Sequence, residues 1–320
     1  MGHLIGAIGD LTVDIILNGL SAIPEWGQEA EITGTAKRLG GNVGNMAVGA
    51  SALHTDFQII ADIGGDENGS FILSEVKRLG LETDNIRILE NEETSKTYAC
   101  IRGDGERFMM TSKGTLARIE ETVLKKGIPR TEVLFLGGWC LPPRVDLNKV
   151  MERMDSWRDD HIILSTDLIW SDETWRVKEI LIQFLNKIDI VFLNEKELTA
   201  LTGISERGAA IKKLRNLLNL GSRQGAVAII KLGASGAVLV NGRSEFYAEA
   251  FECTPVDTVG AGDLFNLGML HAKFQMHLTE QEALKFATVF ASMAISRYNS
   301  KLPSQEEVLI SMSKTKKSTG

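Results

Sequence analysis

The chain has 320 residues, 43% of them hydrophobic, which suffices for one large domain or two modest ones around a buried core. Its net charge is −7, and its basic residues are scattered with no run denser than the closing SKTKKS, which argues against a nucleic-acid groove. Cys100, Cys140 and Cys253 stand far apart without metal-ligand spacing, so neither a disulfide framework nor a structural zinc site is expected, and a reducing cytoplasm fits best.

MGHLIGAIGD has no basic stretch ahead of its apolar run, which glycines interrupt and an acid ends. It is expected to be a first strand rather than a leader or a membrane span. Residues 11–36 alternate with a period of two around turn residues, and NVGNMAVGASAL then changes to helical spacing. FQIIADIG reads as a buried strand and SFILSEVKRLG as the helix after it. Residues 94–112 return to period two and contain the hairpin-like RGDGER. Beyond them EVLFLGG, HIILSTD, DIVFLNE and AVAIIKLG are short apolar runs of the kind buried in parallel sheets, with RVDLNKVMERMDSW and ERGAAIKKLRNLLNLG as intervening helices. From GAGD onward the pattern is helical, over about residues 262–276, 279–297 and 304–313.

This order predicts an α/β sandwich: a mainly parallel central sheet with right-handed crossovers, and a small antiparallel sheet standing off it. The expected division is a large unit of residues 1–10, 37–93 and 113–320 and a small β lid of residues 11–36 and 94–112. No internal repeat or low-complexity linker interrupts it.

Ligands of open parallel sheets bind at the carboxyl ends of the strands, and there this sequence is polar and rich in glycine. It has Asp10 and Asp14, GGNVGN at 40–45, GGDENG at 64–69, Asp167, NEKE at 194–197 and KLGASG at 231–236. Within DTVGAGD, Gly260, Ala261 and Gly262 leave backbone N–H groups open at a helix N-terminus, which attracts an anion such as a phosphoryl group. Asp263 beside that anion then suits a general base that takes the proton of an attacking hydroxyl. The plain alternative is an N-cap on a tight turn. Asn194 and Glu197 can serve a hydrated Mg²⁺, or simply open a helix. Gly40, Gly41 and Asn45 suit a hydroxyl-rich ligand, or a loop-to-helix turn capped by Asn42. KLGASGAVLV reads as a nucleotide shelf or as a plain hairpin. The five histidines show no metal or triad spacing, and no GxxxxGK[ST] occurs.

Taken in order, Asp14, GGNVGN, NEKE, KLGASG and DTVGAGD resemble the ribokinase-like, phosphofructokinase-B type family of carbohydrate and nucleoside kinases across nearly the whole chain. The family's DTxGAGD is matched at Asp257, Thr258, Gly260, Ala261, Gly262 and Asp263, its GGxxxN at Gly40, Gly41 and Asn45, and its NxxE at Asn194 and Glu197. The resemblance implies a ribokinase-like three-layer α/β/α sandwich whose β lid closes over a sugar, and transfer of the γ-phosphoryl group of ATP to a hydroxyl. It implies Asp263 as catalytic base and Gly260, Ala261 and Gly262 as the anion hole. Asp14, Gly41 and Asn45 would contact the acceptor, and Asn194 and Glu197 would lie near Mg²⁺. Lys231, Gly233, Gly236, Asp257 and Thr258 would lie on the nucleotide side. Many members also use a monovalent cation such as K⁺ close to the DTxGAGD loop. Two stretches depart from the family: SRYNSKLPS carries Ser300 and Lys301 where a small Gly-Ala pair is frequent, and TDLIW keeps Asp167 but has Ile169 in place of asparagine.

A free sugar or sugar acid is the expected acceptor. A nucleoside would want an aromatic slot, for which Trp26, Tyr98 and Phe108 are the candidates. A sugar phosphate would want cations, for which Lys37, Arg38, Arg102 and Arg107 are available. A relative that binds ligand without catalysis is the alternative from another class. The lid edges invite pairing, so a homodimer through the lid is expected, with a small-molecule acceptor and neither nucleic acid nor membrane as partner.

Overall fold

Phe57–Gly64 is buried at every position, so both faces of this strand must be covered, as happens inside a parallel sheet between two helical layers. A computed structural model describes residues 3–315 except 103–105, 126, 139, 140, 142, 143, 171, 224 and 298–300. The core of the RGDGER turn, Cys140, Ser300 and the end of the SKTKKS tail lie outside the described residues.

The strands are β1 (His3–Ile8), β2 (Thr12–Leu20), β3 (Gly34–Gly40), β4 (Phe57–Gly64), β5 (Ile86–Leu89), β6 (Lys96–Arg102), β7 (Arg107–Ser112), β8 (Thr131–Leu136), β9 (Ile163–Asp167), β10 (Ile190–Asn194), β11 (Val227–Lys231), β12 (Ala237–Val240) and β13 (Glu245–Ala248). The helices are α1 (Gly41–Leu53), α2 (Glu67–Arg78), α3 (Ile119–Lys125), α4 (Leu147–Asp159), α5 (Asp172–Arg176), α6 (Lys178–Leu185), α7 (Glu195–Thr202), α8 (Arg207–Leu217), α9 (Ala261–Leu270), α10 (Glu280–Ile295) and α11 (Gln305–Thr315). A π-helical turn, His271–Gln275, continues α9. Among the described residues, no helix is long and apolar enough to cross a membrane.

Nine strands form the large sheet in the order β13-β12-β11-β10-β9-β8-β1-β4-β5. It is parallel from β5 to β11, while β12 and β13 add antiparallel hairpins at one edge. Side-chain alternation splits the core into two. Ala7, Phe135, Phe192 and Ile229 join α1, α9 and α10 on one face, and Ile8, Leu136, Leu193 and Ile230 join α4, α6 and α8 on the other. The three-layer α/β/α sandwich expected from the sequence is therefore present.

The small sheet runs β3-β2-β6-β7. It is mixed rather than antiparallel, which corrects the sequence expectation: β2 pairs with β3 and β6 with β7 antiparallel, but β2 and β6 lie parallel. Short-range turns fix direction only within each hairpin. Between them the chain passes through α1, β4, α2 and β5 and returns to the small sheet from the same end. β3 also continues past residue 36 to Gly40, where it runs directly into α1.

Phe192 of β10 packs edge-on against Phe265 of α9, with ring centroids 6.4 Å apart, and so ties the sheet to the helix that carries Asp263. Phe192→Ala is expected to lower unfolding stability by about 3–5 kcal/mol, read by chemical denaturation. A loss below about 1 kcal/mol would show that this face of the core re-forms without the ring.

Candidate active site

The strand ends and the small sheet enclose a pocket of about 310 Å³ lined by Asp10, Asp14, Gly41, Asn45, Gly260 and Asp263, among others. Loop and turn geometry bring them together. Gly41 has φ +77°, and a Cβ there would run into the carbonyl oxygen of Asp10, so glycine lets α1 start against the end of β1. Gly260 has φ +74°, and a Cβ there would come within 2.8 Å of the Asn45 amide carbon. These two turns hold the start of α1 against the start of α9.

α9 begins without a side-chain cap. The main-chain N–H of Ala261 is turned back to the carbonyl of Thr258 at 3.3 Å, whereas those of Gly262 and Asp263 meet no acceptor among the described residues. They form the positive end of the helix and can receive an anion. Lys231, at the end of β11, reaches to 3.4 Å from where a Cβ on Gly262 would stand, so a cation is posted at the same nest. Its Nζ donates to Asp167 Oδ2 at 2.5 Å, and Asn266 Nδ2 donates to the same oxygen at 2.7 Å. Asp167 Oδ1 is buried and unpartnered.

Asp263 accepts a hydrogen bond of 2.8 Å from Asn45 Nδ2. Loss of solvation raises its pKa to about 6, with the Asn45 hydrogen bond acting against that rise and the charge of Asp167 adding to it. Asp14, on β2, is also raised by burial, against the pull of Arg38, whose Nε lies 4.0 Å from Asp14 Oδ2. Asp257 accepts from Arg38 at 2.8 Å and from the main-chain N–H of Val259 at 2.9 Å. It thus clamps the β3 end of the small sheet to the loop before α9. Thr258 contributes its carbonyl to that loop.

Asn194 and Glu197 engage each other. Asn194 Oδ1 accepts from the Glu197 N–H at 2.9 Å, and Glu197 Oε2 accepts from the Asn194 N–H at 2.8 Å, a reciprocal cap that opens α7. Glu197 is buried, and its pKa is raised to about 7 by burial first and by Asp167 second. Gly233 and Gly236 bound the short turn between β11 and β12, and nothing would touch a Cβ at Gly233.

Thr12, Thr97 and Thr111, which the sequence did not single out, line the pocket too, with Asp10, Ile169 and Asn42, the last of which does not cap α1. The period of two was the available signal for the threonines. Thr97 pairs with Asp14 and with Thr111 across the small sheet, which places all three on one face. Tyr98 falls on the opposite face by the same parity, Phe108 lines a separate hollow with Cys100 and Arg102, and Trp26 is fully exposed. The three aromatics considered for a nucleobase slot are therefore not brought to this pocket.

The model of the pfkB family of carbohydrate kinases matches residues 3–307. The 5-dehydro-2-deoxygluconokinase of Halalkalibacterium halodurans is 25% identical over 314 residues, covering 94% of this chain and 92% of the relative. Among solved structures, the nucleoside kinase of Methanocaldococcus jannaschii superposes with a TM-score of 0.80 at 18% identity, covering 98% of this chain and all of that one. The ribokinase of Arabidopsis thaliana, complexed with ribose and ATP, superposes with a TM-score of 0.78 at 20% identity, covering 98% of this chain and 99% of that one. At these identities the two structures establish the shared ribokinase fold. With the matched span running through every motif of the pocket, the chain belongs to the pfkB family of carbohydrate kinases.

Proposed function

We propose that this kinase transfers the γ-phosphoryl group of ATP to a hydroxyl of a free sugar or sugar acid held between Asp14, Gly41, Asn45 and Asp263. The observation that carries this reading is the placement of Asp263, which lines the pocket on one side and opens α9 beside unpaired N–H groups on the other. Asp263 takes the proton as the acceptor hydroxyl attacks phosphorus. The N–H groups of Gly262 and Asp263 and the ammonium of Lys231 receive the negative oxygens of the phosphoryl group in flight.

A pKa of about 6 leaves Asp263 ionised at neutral pH yet more basic than an ordinary carboxylate, which suits proton abstraction. Lys231, Gly233, Gly236, Asp257 and Thr258 mark the nucleotide side of the same crevice. The donors at the strand ends fit a hydrated Mg²⁺: Asp167 Oδ1 has no partner, and Glu197 and Asn194 lie at the end of the neighbouring strand. Mg²⁺ usually keeps several waters and takes phosphate oxygens as ligands, so few protein donors suffice. Bound there, Mg²⁺ would neutralise phosphate charge. A cytoplasmic setting suits the free thiols of Cys100 and Cys253. We also propose a second copy of this chain as partner through the outer face of the small sheet, where Met110 is 51% exposed.

Asp263→Asn is expected to lower kcat by about 10²–10⁴ while ATP still binds, measured by ADP release and by calorimetric titration. Undiminished turnover would remove Asp263 from the role of base. Because the base must be ionised, the wild-type rate should fall as the pH drops through about 6. Asn45→Ala deletes the hydrogen bond that favours the ionised carboxylate, so this acid limb should move to higher pH. A limb that stays in place would assign it to another group.

A further inference from the structure

Free sugar and sugar acid differ in charge, so the charges that line the pocket bear on the choice between them. Its carboxylates are Asp10, Asp14, Asp167 and Asp263, and no lysine or arginine is among its described lining residues. The cations that sequence reasoning held available for an anionic acceptor are mostly occupied elsewhere. Lys37 points to α2, with its Nζ 4.7 Å from the Phe71 ring centroid and 3.7 Å from Glu67. Arg38 lies between Asp257 and Asp14, and Arg102 pairs with Glu106 at 2.7 Å. The side chain of Arg107 lies outside the described residues. Lys231 sits on the nucleotide side, held by Asp167.

Buried Arg38 Nε, 4.0 Å from Asp14 Oδ2, is an unpartnered donor next to the pocket, but the unpartnered atoms of the residues that line it are oxygens. Asp10 Oδ1 and Asn42 Oδ1 are both buried, both without a hydrogen-bond partner, and both residues line the pocket. Asp10 Oδ1 is thus open to a ligand in the pocket. Asn42 Oδ1 and, in the ionised form of Asp10, its Oδ1 are acceptors, so what they lack is a donor. A sugar hydroxyl supplies one, whereas an ionised carboxylate or phosphate is an acceptor only and meets acceptors. Loss of solvation, and after it the charge of Asp263, push the Asp10 pKa up to about 7, so the pocket already resists the negative charge it holds.

Resting on the kinase reading above, we propose that the pocket selects an uncharged polyhydroxylated acceptor over its acid or phosphorylated analogue. Asp10 sets that choice by taking a hydroxyl of the acceptor on Oδ1.

The test compares matched acceptors with ATP and Mg²⁺: neutral pentoses and hexoses, the aldonic and uronic acids derived from them, and their terminal phosphates. The neutral member of a set should exceed its charged analogues in kcat/KM by at least about tenfold. Asp10→Asn should lower kcat/KM for the neutral acceptor and narrow its lead over the acid by about tenfold, because the amide removes a charge and adds a donor. Asp10→Ser repeats the measurement should the first variant fail to fold. A purely structural role for Asp10 would lower all acceptors alike, and that result overturns its assignment. Preference for the acid or the phosphate overturns the selectivity while leaving the kinase intact. Absence of phosphorylation of every acceptor overturns both.

Discussion

The structure depends on holding the carboxylate of Asp263 in a recessed site at the positive end of α9. An acid there has lost much of its solvation, and Asp167 and Asp14 add their charge to the strain. Asn45 and Lys231 work in the opposite direction and keep it ionisable. The result is a carboxylate more basic than usual, at a helix end whose free N–H groups favour negative charge. That combination is costly to hold, and it fits the proton transfer proposed for Asp263.

The fold supplies the two sides of this arrangement from separate layers. The nest and Lys231 come from the large sheet and the helix packed on it, while Asp14, Thr97 and Thr111 come from the inner face of the small sheet. Arg38 connects them, since it leaves β3 and reaches both Asp14 and Asp257. The small sheet is thereby linked to the loop that leads into α9 and Asp263. Phe192 of β10 and Phe265 brace α9 against the large sheet.

Much of this was legible in the sequence, for reasons that can be named. FQIIADIG matched β4 at both ends because a strand buried on both faces leaves an unbroken apolar run. GAGD was readable as a helix start because its glycines and acid act within one turn. That Asn194 and Glu197 open a helix was also readable, whereas the reciprocal cap by which they do so was not. The parallel pairing of β2 with β6 was not legible, since nothing within either hairpin encodes the direction of its neighbour. Nor was the placement of Tyr98 and Phe108, because alternation says that two sets of residues face opposite ways without saying which set faces the cleft.

The sequence by itself determined strands such as β4 and β10, helices such as α1 and α8, and the identity of the acid at the start of α9, because those depend on residues a few positions apart. Only the tertiary structure decided what surrounds that acid. Asn45 stands 218 residues from Asp263 along the chain, and Lys231 and Asp167 are 64 apart. Asp10 becomes a pocket residue only because β1 ends where α1 begins. Charge and solvation act through space, and the distances that set them exist only once the sheet has brought its strand ends together.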